Sequence, residues 1–74
     1  MLIARYAALM RPPESGAVPR EGLLQVKFID GVAPSGHHAY GWAEYDRYLT
    51  SEELSHYDME YVHSANVIEG GDAQ

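Results

Sequence analysis

The sequence has 74 residues, no cysteine and a formal net charge of −6, with 46% hydrophobic and 22% charged residues. A chain of this length forms one domain with a small core, and the lack of cysteine excludes disulfides and cysteine-based zinc sites. The charge is uneven, because residues 1–40 carry a net +1 and residues 41–74 a net −7. The acidic half would repel nucleic acid and anionic lipid, so a partner attracted by charge should be basic.

The hydrophobic residues do not form a membrane segment. The longest apolar run, residues 6–10, is far shorter than the roughly 20 residues that cross a bilayer. The first ten residues also lack the basic lead of a secretory signal. We therefore expect no contact with membranes and a cytoplasmic location.

Residues 2–10 are predicted to form the first strand. Their apolar side chains alternate between two faces, and Pro12 and Pro13 end the segment because proline lacks the amide that a strand ladder needs. Three alanines leave a helix as the alternative, since alanine favours helix. Residues 11–22 follow as a stiff loop of proline, glycine and serine.

Residues 23–30 are predicted to form the second strand. Leu24, Val26 and Phe28 alternate with polar residues and are expected to face the core. The Asp-Gly dipeptide that ends the strand is typical of a turn. Residues 31–41 are expected to continue as a glycine-rich loop.

Residues 42–49 alternate with period two, which predicts a third, half-buried strand. Tyrosine and tryptophan suit a pleated surface, whereas the acidic residues do not suit a core. The predicted faces are Ala43, Tyr45, Arg47 and Leu49 on the core side, and Trp42, Glu44, Asp46 and Tyr48 on the other.

A helix start follows this strand. Thr50 and Glu53 have the spacing of a capping box, in which each side chain bonds the backbone amide of the other residue. The helix should be short, because no apolar helical period continues beyond Tyr57. Residues 57–64 return to period two, which predicts a last strand.

The predicted fold class is therefore α+β. We expect a small single-domain antiparallel sheet with the element order β-β-β-α-β and one short helix. The domain should span residues 1–68, and residues 69–74 should form a flexible C-terminal tail.

The histidines do not have the pattern of a metal site. His37 and His38 are adjacent, and His56 and His63 are separated by a predicted change from helix to strand. A zinc site that joins His37 or His38 to His56 and Asp58 is the remaining alternative. We expect no bound metal and no cofactor.

Other catalytic patterns are also missing. Glu44 and Asp46 are two apart on one strand face, but nothing predicts the burial that would keep one of them protonated. The sequence has no nucleophile elbow and no phosphate-binding loop. These observations predict a protein that is not an enzyme.

Aromatic and acidic side chains are interleaved in the second half of the chain. Tyrosine and tryptophan commonly anchor protein interfaces, and acidic neighbours favour a protein partner over nucleic acid. The alternative is that the tyrosines only cover a thin core with their hydroxyls at the surface. The predicted partner-binding residues are Trp42, Glu44, Asp46, Tyr48, Tyr57 and Tyr61. The partner would be another protein or a second copy in a homodimer.

Three segments stand in order along the chain: Arg11-Pro12-Pro13, residues 16–20 (GAVPR) and residues 45–54 (YDRYLTSEEL). Together they resemble short uncharacterised proteins encoded on bacterial mobile elements. The resemblance implies a bacterial cytoplasmic setting and a role in element maintenance or in evading host defence. It carries no catalytic residue to this chain.

Three functions follow from these patterns. The first is a non-catalytic binding module that acts through the aromatic and acidic surface. The second is an anti-defence inhibitor that imitates the charge of nucleic acid with rows of carboxylates, and the third is a small metal-dependent enzyme. Acids in rows would favour the inhibitor, scattered acids the binding module, and acids converging on His56 in a cleft the enzyme.

We expect purified, tag-free protein to hold no stoichiometric zinc at neutral pH, because its histidines lack ligand spacing. Elemental analysis measures the metal content directly. One zinc per chain that is lost when His56 is replaced would contradict this prediction and support the enzyme.

Overall fold

A computed structural model describes residues 1–67. The main structure is a four-stranded antiparallel sheet with one short helix, which confirms the predicted α+β fold. A second sheet of two strands lies where a glycine-rich loop was expected. The elements are β1 Leu2–Ala8, β2 Leu23–Lys27, β3 Gly31–Val32, β4 His38–Ala39, β5 Gly41–Tyr45, α1 Ser51–Tyr57 and β6 Met59–Asn66. The predicted tail, residues 69–74, lies outside the described residues.

The central strand is β1, and the other strands assemble around it. The strand order is β2-β5-β1-β6, and each neighbouring pair is antiparallel. The strand predicted for residues 2–10 is confirmed and ends at Ala8. Ala4, Ala7 and Ala8 are buried on it, and these small side chains allow other elements to approach both faces of the sheet. Residues 1–67 contain no helix with the length and hydrophobicity of a membrane span.

One face of the sheet, the helix face, packs against α1 and the segment 11–22. Two buried tyrosines fill its centre, and the hydroxyl of each makes a hydrogen bond. Tyr45 Oη donates to the Pro19 carbonyl at 2.7 Å, and Tyr6 Oη accepts from the Leu49 amide at 2.9 Å. The predicted burial of Tyr45 and Leu49 is confirmed. The core of this face consists of Ala4, Tyr6, Val18, Ala43, Tyr45, Leu49 and Met59.

The predicted burial of Leu24 and Phe28 is wrong, since their side chains are 40% and 60% exposed. The register of β2 against β5 shifts between Leu23 and Gln25, which is a β-bulge. Because a bulge adds one residue, the alternation reverses there, and Leu23 packs against the core in place of Leu24. Val26 packs against the core as predicted. Phe28 lies beyond the end of the strand.

The opposite face, the hairpin face, is covered in part by the two short strands β3 and β4. Ala33 and Ala39 of this hairpin pack on Ala7 of the central strand, with Trp42 and Val62 at the margin. The Tyr40 amide also donates to the Ala8 carbonyl at 2.8 Å. The loop predicted for residues 31–41 is therefore a structured hairpin that adds a second, smaller core.

The predicted capping box at the start of α1 is confirmed. The Thr50 hydroxyl accepts from the Glu53 amide at 3.1 Å, and the Glu53 carboxylate accepts from the Thr50 amide at 2.9 Å. The helix ends at Asp58, whose left-handed backbone (φ 54°) turns the chain directly into β6. Short helices depend on such caps, because few internal hydrogen bonds hold them.

A bidentate ion pair links the same helix start to the rest of the fold. Arg47 donates to both carboxylate oxygens of Glu53, at 2.9 and 2.8 Å, and its Nε donates to the Glu21 carbonyl at 2.9 Å. The hydrogen bond from Arg47, with a smaller contribution from the Thr50 amide, lowers the pKa of Glu53 to about 2. The pair therefore joins α1 to the segment before β2.

Replacing the cap, Thr50→Ala, should reduce the free energy of unfolding by about 1 kcal/mol, because the Glu53 amide loses its acceptor. Urea unfolding measures the change. Ser51→Ala, one residue along and exposed, is the matched control and should change little. A loss below about 0.3 kcal/mol for Thr50→Ala would show that its hydroxyl is not a stabilising cap.

Acid should weaken the fold through Glu53. The carboxyl has a pKa near 4.5 when unfolded and about 2 when folded, so its stabilising effect is complete above pH 4.5 and is lost as the pH falls towards 2. Glu53→Gln should flatten this part of the stability profile, as measured by thermal unfolding between pH 2 and pH 6. Glu52, the exposed neighbouring residue, serves as the control. A stability profile of Glu52→Gln as flat as that of Glu53→Gln would contradict the assignment of this pH dependence to Glu53.

Candidate functional site

The six predicted partner-binding residues do not form one surface. Tyr57 and Tyr61 pack on the helix face, where Tyr61 contacts the ring of Tyr6. Trp42 packs with the small core of the hairpin face. Glu44, two residues from Trp42 on the same strand, shares that face, while Asp46 follows the end of β5.

The expectation that Trp42 and Tyr48 share an open face is wrong. Trp42 is half-buried, because the hairpin lies over it. A Cβ atom at Gly31 would lie 2.5 Å from Trp42 Cζ2, so the hairpin can approach the indole only with glycine at that position. Trp42 is thus placed to stabilise the hairpin. Tyr48 is exposed in the segment between β5 and α1.

The negative charge of Glu44 is balanced by neighbouring side chains within the chain. Its carboxylate accepts from Gln25 Nε2 at 2.6 Å and from Arg5 Nη2 at 2.7 Å. The hydrogen bond from Gln25, followed by that from Arg5, lowers the pKa of Glu44 and keeps it ionised at neutral pH. This environment is the opposite of what a general acid needs.

The other acids are scattered. Glu60 on β6 accepts from the amide and hydroxyl of Ser35 and so fastens the hairpin. Asp58 lies 3.7 Å from Arg11, and Glu52 is exposed in the first turn of α1. The carboxylates therefore lie on different sides of the molecule, without the rows expected of a nucleic-acid mimic.

The histidines are also separated. His37 and His38 lie in the hairpin, His56 on α1 and His63 on β6. Within residues 1–67, no three side chains of the types that bind metals are grouped around one point. The shallow surface beside His56 is formed by α1 and the Thr50 cap. Glu52 and Glu53 line it, but Glu53 is bound there by Arg47 and by the Thr50 amide.

Two exposed tyrosines and a serine form the most regular surface group, which we term the tyrosine patch. Tyr48 and Tyr61 each place their hydroxyl 2.9 Å from Ser64 Oγ, and their ring centroids are 6.2 Å apart. They are 55% and 42% exposed. The patch brings together residues from β6 and from the segment between β5 and α1.

Buried aromatic rings support the patch from below. The ring of Tyr61 meets Tyr6 edge-on at 5.6 Å, and Tyr6 meets Tyr45 at 6.0 Å. Edge-to-face contacts of this kind are favourable. Tyr61 is therefore packed against the core, and Ser64 joins Tyr48 to it.

The sequence predicted Tyr48 and Tyr61 as contact residues but did not predict Ser64, which joins them. Ser64 enters the patch because β6 is antiparallel to β1, with a register shift between Arg5 and Tyr6. That shift places Tyr61 and Ser64, an odd number of residues apart, on one face. No local signal in the sequence reveals a bulge of this kind.

The family model described as defence against restriction A, C-terminal, matches residues 2–64. No curated protein and no solved structure matches the chain. The match covers the whole described sheet except the end of β6, and it confirms the resemblance to mobile-element proteins at the level of the family. The chain belongs to the C-terminal family of defence against restriction A, a family of anti-restriction proteins of phages and mobile elements.

Proposed function

We propose that this chain is an anti-restriction protein that acts by binding a protein of the restriction system, without a catalytic step. The observation that carries the proposal is the family match over residues 2–64, which spans the helix, the sheet and the hairpin. The arrangement of the acidic side chains supports binding over catalysis, because they are either bound by neighbouring side chains or scattered over the surface.

The tyrosine patch is the surface that we propose contacts the partner. Tyrosine supplies a large contact area with few rotatable bonds, and the shared Ser64 hydroxyl already restrains both rings. Binding would therefore cost little ordering of these side chains. Tyr57, half-buried on the helix face, would extend the apolar part of the contact.

The charge around the patch indicates the chemistry of the partner. All patch residues belong to residues 41–74, which carry a net −7. Glu52 and Asp46 remain exposed and are not ion-paired within residues 1–67. A partner surface with an apolar centre and a basic rim would complement this half of the molecule.

Imitation of nucleic acid is the less favoured mechanism. Four of the six acids that it would need are engaged inside the chain by arginine or serine side chains. These four are Glu44, Glu53, Asp58 and Glu60. The two that remain cannot reproduce the regular charge spacing of a phosphate backbone.

The proposal is tested by plating unmodified phage on a restricting host that expresses the chain. Wild-type protein should raise the plating efficiency. The double variant Tyr48→Ala, Tyr61→Ala should lose most of this effect, since losing an interface anchor typically costs about 2 kcal/mol, or roughly 30-fold in affinity. Tyr40→Ala, which removes a tyrosine of similar exposure (38%) from another surface, is the matched control.

Each outcome of the plating experiment has a distinct meaning. No protection by the wild-type chain would refute the anti-restriction function. Protection that survives in the double variant would leave that function standing and refute the patch. Circular dichroism of each variant verifies that the fold is retained.

A binding experiment separates protein contact from charge imitation. Purified restriction enzyme is captured with the immobilised chain in the presence of increasing duplex DNA. We expect DNA not to compete. Displacement of the restriction enzyme by DNA would instead support the mimic.

A further inference from the structure

Within residues 1–67, the strand β2 forms an uncovered edge of the sheet. It pairs with β5 on one side, and no other described strand pairs with its second side. The segment 11–22 passes beside it, but within residues 1–67 the only backbone hydrogen bond from that segment to β2 runs from the Leu23 amide to the Arg20 carbonyl. Unpaired backbone groups at such an edge are able to pair with another strand.

Apolar side chains surround this edge. Leu24, Phe28 and the adjoining Ile29 are 40%, 60% and 62% exposed. A groove of about 280 Å³ runs between β2 and the segment 11–22, and its apolar lining includes Val18 and Val26. We term this region the β2 edge surface. Exposed apolar side chains beside an open strand commonly mark an interface.

The charge of this surface differs from that of the rest of the molecule. Residues 11–30 contain three basic and three acidic side chains and are therefore neutral, whereas residues 41–74 carry a net −7. Within the described residues, four charged side chains around β2 form no ion pair. They are Glu14, Arg20, Glu21 and Lys27.

The charge of this surface permits a second copy of the chain to bind there. A second copy of the chain carries the same net −6 and is repelled by the acidic half. At the neutral β2 edge surface there is no such repulsion. An antiparallel arrangement also brings the start of one strand, with Arg20 and Glu21, to the end of the other, with Lys27.

We propose that the β2 edge surface is a self-association site, at which β2 of one copy pairs antiparallel with β2 of a second copy across a two-fold axis. The contact is isologous, so each copy supplies the same groups. The bulge at Leu23 and Gln25 shortens the regular ladder, and the exposed Leu24 and Phe28 must therefore supply much of the affinity.

Sedimentation velocity of the 74-residue chain between about 5 and 500 μM, a range suited to the weak end of specific interfaces, tests the proposal. We expect a concentration-dependent dimer. Leu24→Glu should raise its dissociation constant at least tenfold, because it places a charge in the apolar contact. Val67→Glu is the matched control: it adds the same charge at a residue of similar exposure (44%) next to β6, the other edge.

Hydrogen exchange measured at low and high protein concentration locates the interface. The amides of residues 23–28 should gain protection as the dimer forms. A chain that stays monomeric at 500 μM, or a dimer that Val67→Glu weakens as much as Leu24→Glu, would overturn the proposal. Circular dichroism of both variants verifies that each remains folded.

Discussion

Two buried tyrosine hydroxyls hold the connecting segments of this chain against its sheet. Tyr45 donates to Pro19 and so fixes the segment before β2, while Tyr6 accepts from the Leu49 amide and fixes the segment before α1. Burial raises the pKa of both phenols, which stay uncharged throughout the physiological range. The core around these two tyrosines is small, and without these two hydrogen bonds the buried hydroxyls would each carry a desolvation cost.

The same pair of rings connects the core to the surface. Tyr6 stands between the fully buried Tyr45 and the exposed Tyr61, so the tyrosine patch is the outer end of an aromatic row that begins in the core. The position of the patch thus follows from packing on the helix face. The hairpin face has a different role, because there the bulkiest aromatic residue, Trp42, is used to hold β3 and β4 in place.

Periodicity was sufficient to predict the long elements. Alternation identified β1, β5 and β6, and the spacing of Thr50 and Glu53 identified the helix start, because both signals are local. The hairpin could not be predicted, because strands of two residues are too short to show a period. The exposure of Leu24 and the partnership of Ser64 with two tyrosines were also unpredictable. Both depend on bulges, and a bulge is fixed by the pairing of distant strands.

The central position of β1 determines when the fold can form. Both of its partners, β5 and β6, come from the second half of the chain, so synthesis completes β1 long before either neighbour exists. Until then its two edges have no native strand partner, and such segments are exposed to mispairing. Non-local pairing of this kind also slows folding, because loop closure must precede any gain from the contacts. The sheet therefore closes late, and β1, which is synthesised before the other strands of the sheet, is among the last to gain both of its neighbours.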